Sequence, residues 1–285
     1  MTDIEKNNRK TTIKIAGRRR VYLMRHGHVD YFDPKMTDPR MVSLTEEGQA
    51  QAQAAASALA PVTFDIAMHS TLPRTAQTAE IVLANKDKSR LVGGAVVGEP
   101  LFEELKSGWI KADTREELAA RLAFCFDDAA EPGARFLPDG ETFAGAQERI
   151  IKGIQRLITE FAWKTALLVA HEGVNRILLG WASGGGLRSI SSFEQDLGCI
   201  NVIDFDIAPA ASLSQERTNN KENNHLLGAP GGDYQIERAI IKALNITPYD
   251  YVKHGLSRTS LEHLFDVDFG KARPTNSDFQ GQDIA

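Results

Sequence analysis

"VYLMRHGHVD" (Val21–Asp30) decides how this chain is read. Four residues with the character of a buried strand run directly into Arg25, His26, Gly27 and His28. A solvated strand end accounts for one charged residue. It does not account for a guanidinium and two imidazoles around a glycine, so partners are expected at other strand ends. Working outward, "LTEEGQAQAQAAASALAP" (residues 44–61) reads as a helix, with Thr45 as cap, Glu46 and Glu47 at its positive end and Pro61 as its stop. "FDIAMHS" (64–70) is a second strand and "RTAQTAEIVLAN" (74–85) a second helix. Strands alternating with helices imply an α/β fold with a mostly parallel central sheet and helices on both faces.

From Leu101 to Trp163 the pattern turns largely helical, with an insertion near Leu101 to Phe136 expected to lie over the site. Thr114 and Glu117 form a capping box for "REELAARLAFCF" (115–126). Ile150, Ile154, Leu157, Ile158 and Phe161 share one helical face. "TALLVA" (165–170) is a continuous apolar strand, followed by the turn His171-Glu172-Gly173 and a helix from Val174 to Trp181. "INVIDFDI" (200–207) and "QIERAIIKALNI" (235–246) read as strands, with a polar loop insertion over 208–233 between them. The expected organisation is a flexible tail over 1–19, one domain over 20–248 and a C-terminal extension over 249–285.

The chain has 285 residues, 42% hydrophobic and 25% charged, the composition of a globular protein with a sizeable core. A net charge of −5 argues against nucleic acid as a partner. No apolar run reaches membrane-spanning length, and the N-terminal residues lack the apolar core of a secretory signal. Cys125 and Cys199 lack metal-ligand spacing, which fits free thiols in a reducing compartment. A cytoplasmic protein without membrane partner is the expectation, with a homo-oligomer compatible.

Ligands of open α/β sheets bind beyond the carboxyl ends of the strands, where helix N-termini also point. His26 follows one strand, His171 follows another, and Arg74 opens a helix beside the same edge. With Arg25 they form a concentrated cationic site, whose natural guest is a phosphate.

"LMRHG", "LTEEGQAQA", "STLPRTAQTA" and "VAHEGVNRILL", in this order, resemble the histidine phosphatase superfamily, also called phosphoglycerate mutase-like. "LFEELKSGWI" resembles the acidic segment of that family and "PDGETF" its Gly-Glu-Ser/Thr segment. The resemblance covers residues 20–247 and implies a phosphomonoesterase acting on a small phosphorylated metabolite through a phosphohistidine. It implies His26 as nucleophile and Glu104 as general acid and base. Arg25, Arg74 and a protonated His171 would hold the phosphoryl oxygens, with no metal or other cofactor. Gly27 and Gly173 would let the backbone approach the phosphate.

Alternatives stay open at several positions. Glu103 is as good a carboxylate as Glu104, which is favoured by its spacing to Gly108. Glu141 is either near the site or a charge in a first helical turn. His28 stands where relatives carry Glu or Gln, so it is either a specificity residue or an exposed loop histidine. Phosphoglycerate mutase-type transfer competes with hydrolysis, although "HVDYFD" and "DPKMTDPRMVSLT" depart from mutase patterns. A catalytically dead phosphate-binding or scaffold protein is the third reading, disfavoured by the complete core set.

Overall fold

The computed structural model describes residues 16–31, 33–35, 37–108, 122, 124–209 and 234–253. Six strands form one sheet in the order β3-β2-β4-β1-β5-β6. They are β1 (Gly17–Arg25), β2 (Ile66–His69), β3 (Val97–Gly98), β4 (Thr165–Ala170), β5 (Ile200–Pro209) and β6 (Tyr234–Ile246). The pairs β1·β4, β2·β4 and β2·β3 are parallel, whereas β1·β5 and β5·β6 are antiparallel. The sheet is therefore mixed: its parallel half matches the expectation, and an antiparallel hairpin extends it.

Among the described residues four α-helices cover the sheet: α1 (Glu46–Ala58), α2 (Pro73–Val82), α3 (Phe143–Glu160) and α4 (Glu172–Ser183). Strand alternation sends Ala166, Leu168 and Ala170 of β4 into one core with Ile150, Ile154 and Leu157 of α3 and Val174 and Ile177 of α4. Leu167 and Val169 face the other way, against Ala55 of α1 and Ala79 and Val82 of α2. Both faces are thus covered, which is why "TALLVA" is apolar without interruption.

The helix starts follow local chemistry. The Thr45 hydroxyl accepts from Gly48 N–H to cap α1, and Thr142 does the same for Gly145 in α3; each such cap contributes about 1 kcal/mol. Pro73 opens α2 at a position where its missing N–H costs nothing.

Some boundaries differ from expectation. Strand β1 begins at Gly17, ahead of "VYLM", and Arg18 and Arg20 form bidentate pairs with Asp206 and Asp204 on β5. In the expected helical insertion, Pro100–Phe102 is a 3-10 turn, Leu122 is helical and residues 124–130 are turns. The capping box at Thr114 and Glu117 lies outside the described residues, as do 1–15, 210–233 and 254–285. Among the described residues no helix is long and apolar enough to cross a membrane.

Candidate active site

The parallel strands deliver their ends to one edge. His26 N–H donates to Ala170 O, so the ends of β1 and β4 are bonded directly where their histidines emerge. The His26 and His171 rings lie 5.1 Å apart, inclined at 66°. Arg74, in the first turn of α2, donates from Nε to His26 Nε2 at 3.3 Å. Arg25, His26, Arg74 and His171 are each at least 95% withdrawn from solvent.

His26 has a defined tautomer. Its Nδ1–H donates to Gly27 O at 2.7 Å, which leaves the Nε2 lone pair facing Arg74. Burial, then Arg74 and Arg25, hold the ring well below the usual histidine range, so it is neutral. His171 is likewise held well below that range by burial, then by Arg74 and His26. Three arginines, Arg74, Arg25 and Arg149, and a second imidazole thus oppose the charge on His171 that was expected from sequence.

The adjacent glutamates separate cleanly. Half-buried Glu104 is pushed above the usual carboxylate range by burial, and Glu172 adds to the shift while Arg74 and Arg25 counter it. Its Oε1 accepts from Leu105 N–H at 2.9 Å. Glu103 turns away, accepting from Arg40 Nη2 at 2.8 Å and from the Thr71 hydroxyl. Burial works against its charge, but Thr71 and Arg40 outweigh it and hold Glu103 below the usual range. The surroundings of Glu104 favour its protonated form, and those of Glu103 favour the anion.

Glu141 is neither in a first helical turn nor among the buried histidines, since α3 starts two residues later. It forms a bidentate pair with Arg149 at 2.9 and 2.7 Å, and Arg149 Nη1 donates to Leu101 O and Glu103 O. Glu141 N–H also donates to Lys106 O. This clamp fastens the glutamate-bearing segment to α3. His28 is half-buried, its Nδ1 2.9 Å from Thr45 Oγ and its N–H donating to Gln51 Oε1; it secures the start of α1.

The family description "Histidine phosphatase superfamily (branch 1)" matches residues 21–213. The chain belongs to the histidine phosphatase superfamily. Among its relatives, the adenosylcobalamin/alpha-ribazole phosphatase of Escherichia coli is 27% identical over 189 residues, covering 66% of this chain and 90% of that one. An Arabidopsis thaliana protein named as a probable 2-carboxy-D-arabinitol-1-phosphatase is 26% identical over 230 residues, 78% of this chain. The match spans 46% of that protein's length. In structure, the alpha-ribazole phosphatase of Shigella flexneri superposes with a TM-score of 0.54 at 25% identity, covering 79% of this chain and 96% of that one. A phosphoserine phosphatase mutant of Entamoeba histolytica, at 18% identity, shares the fold with a TM-score of 0.56, covering 80% and 98%.

In this superfamily member, the two glycines beside the histidines, expected from sequence to let the backbone approach a phosphate, also have a packing reason. A Cβ at Gly27 would fall 2.3 Å from Gly48 O, so the turn after His26 rests backbone to backbone on α1. A Cβ at Gly173 would meet Leu105 Cδ1 at 2.5 Å and Glu104 Oε1 at 2.9 Å.

Three site residues were missed. Glu172 bridges Arg25, at 3.1 Å, and Arg176, at 2.8 Å. Burial works against the Arg25 charge, but Glu172, Cys199, Glu104 and Glu194 outweigh it and raise the guanidinium. The Tyr31 ring lies 5.8 Å from the Arg74 guanidinium carbon. Ser70 Oγ lies 2.7 Å from His171 Nε2. Ser70 and Glu172 stand inside motifs already singled out, but only the arginine and histidine of those motifs had been read.

Proposed function

We propose that this chain is a metal-independent phosphomonoesterase that works through a phosphohistidine at His26. One observation carries the reading: a neutral, buried His26 whose Nδ1–H is fixed by Gly27 O, so that Nε2 presents a lone pair. Nε2 attacks phosphorus in line, and the P–O bond to the alcohol breaks as the N–P bond forms. Arg25 and Arg74 carry the negative charge of the equatorial oxygens, aided by His171. Glu104 gives its proton to the departing alkoxide, then takes one from the water that displaces His26 and releases inorganic phosphate. The elevated proton affinity of Glu104 and the diversion of Glu103 towards Arg40 support this division of roles.

The substrate we propose is a small phosphorylated metabolite with an alkoxide leaving group. The names of the relatives put alpha-ribazole phosphate and 2-carboxy-D-arabinitol 1-phosphate at the head of a test panel. The experiment is phosphate release from that panel after exhaustive chelation, with acid-labile phosphate trapped and mapped. Turnover with label on His26 is expected. Label elsewhere, or turnover that returns only with an added divalent ion, overturns the mechanism.

A further inference from the structure

His171 is held by the protein through one ring nitrogen. Its Nε2 faces Ser70 Oγ at 2.7 Å, and its buried Nδ1 has no hydrogen-bond partner among the described protein groups. Ser70 Oγ in turn lies 2.8 Å from Thr75 Oγ1. Ser70, Thr75 and His171 are all 0% exposed, so in the resting site their hydrogen bonds are made to one another rather than to bulk solvent.

Proton counting restricts this chain of atoms. The Thr75 hydroxyl has two carbonyl acceptors, Leu72 O at 2.7 Å and Ser70 O at 2.9 Å, so its proton is committed to backbone. Its remaining lone pair faces Ser70. The Ser70 hydroxyl has one proton and two acceptors, Thr75 Oγ1 and His171 Nε2. It has two settings. Pointing at Nε2, it fits a neutral His171 with its proton on Nδ1. Pointing at Thr75, it fits a His171 with Nε2–H donating to Ser70. In the second setting His171 can carry both protons and keep Nδ1–H as a donor.

We propose that Ser70 and Thr75 form a hydroxyl relay that positions His171 and lets it take a proton onto Nε2 when a phosphoryl dianion binds. The proposal rests on the reading of His171 as a phosphoryl ligand. Arg25 and His26 from β1, Arg74 from α2 and Arg149 from α3 all act against a charge on His171. On the acidic side stand Glu104, against Gly173, and Glu172, already engaged by Arg25 and Arg176. A bound dianion shifts this balance towards the imidazolium. The proton comes from solvent, and the Ser70 hydroxyl turns from His171 to Thr75. The ring need not move. When phosphate leaves, the proton returns to solvent and the hydroxyl turns back. Ser70 and Thr75 touch no substrate in this scheme; they are positioning residues.

The test uses the full chain with sulfate, whose charge does not change near neutral pH. Thr75→Val keeps the side-chain volume but removes the acceptor, so the Ser70 proton has only Nε2 left and His171 stays neutral. Thr75→Ser restores the acceptor. The readouts are the imidazole ¹⁵N resonances of His171 and the sulfate Kd across pH. In wild type and Thr75→Ser, saturation with sulfate should protonate Nε2, and Kd should rise with pH. In Thr75→Val, His171 should remain neutral, with a Kd nearly flat in pH and about 10-fold weaker at the acid end, the loss expected for one unit of coupling. Ser70→Ala should also abolish Nε2 protonation, which keeps the test open if Thr75→Val folds poorly. Protonation in Thr75→Val as in wild type, or a wild-type His171 indifferent to sulfate, overturns the relay. Trapping phosphohistidine on wild type separates the two readings. If the label is absent the proposed function fails, whereas label with a wild-type-like Thr75→Val removes the relay alone.

Discussion

The carboxylate of Glu104 rests against the α-carbon of Gly173, close enough that a Cβ there would stand 2.9 Å from Oε1. Gly173 follows His171 by two residues, so the turn that delivers one histidine also makes room for the acid. The same hypothetical Cβ would lie 2.5 Å from Leu105 Cδ1, so both side chains would have to shift to admit it. Gly173→Ala should displace Glu104 and slow hydrolysis of alkyl phosphates at least 10-fold more than that of activated aryl phosphates, which leave without a proton. A leaving-group series on the variant reads this directly.

Glu104→Gln and Glu103→Gln should part company in the same assay. The first should lose about 10²–10⁴-fold on poor leaving groups and accumulate phosphoenzyme with aryl substrates. The second loses only the exposed pair with Arg40 and the Thr71 contact, so its leaving-group slope should equal that of wild type. An altered slope in Glu103→Gln alone would transfer the acid to the neighbouring residue.

The clamp on this segment makes a graded version of that experiment. Arg149→Met removes the pair with Glu141 and the donors to Leu101 O and Glu103 O. Expected is a loss of the same kind as in Glu104→Gln but smaller, roughly 10-fold, with the aryl phosphate rate nearly kept. Equal loss on all substrates would mean that the clamp serves the fold in general.

Stability should carry a histidine signature at mildly acid pH. His26 and His171 are both held well below the usual histidine range, by burial first and then by their charged neighbours. The unfolded chain therefore binds more protons than the folded one as pH falls below about 6.5, and stability drops towards the folded-state values. Each histidine contributes a slope of at most about 1.4 kcal/mol per pH unit in that window. His26→Asn should remove one proton from the slope. Urea midpoints across pH decide it, in buffer free of phosphate and sulfate, since bound anions would add their own stabilisation.

Much of this was legible in the sequence because it is local. The strand-to-turn junctions at Arg25-His26 and Ala170-His171, the Thr45 cap and the Pro73-Arg74 helix start each lie within a few residues, and the structure has them as read. What was not legible depends on partners distant in the chain. Arg25 meets Glu172 across 147 positions, and no periodicity announces that pair (172 − 25). Ser70 meets His171 across 101 positions. Gly27 is needed because Gly48 lies behind it, a fact about the approach of α1 rather than about the turn itself. The antiparallel placement of β5 was equally hidden, since an apolar strand reads alike in either direction.

That hairpin also fixes which strand ends lie at each rim of the sheet. Ile200 pairs with Met24, beside His26, and Ile246 pairs with Ile200, so β6 finishes on the histidine-bearing rim. Pro209 pairs with Tyr234, and Ile207 with both Gly17 and Ile236, at the opposite rim. Pro209 and Tyr234 thus lie far from the chemistry, whereas Ile246 stands at the doorstep of the site. A probe attached at Tyr251, which is 73% exposed, would sit at that doorstep; one attached at Gly17 would report on the distant side.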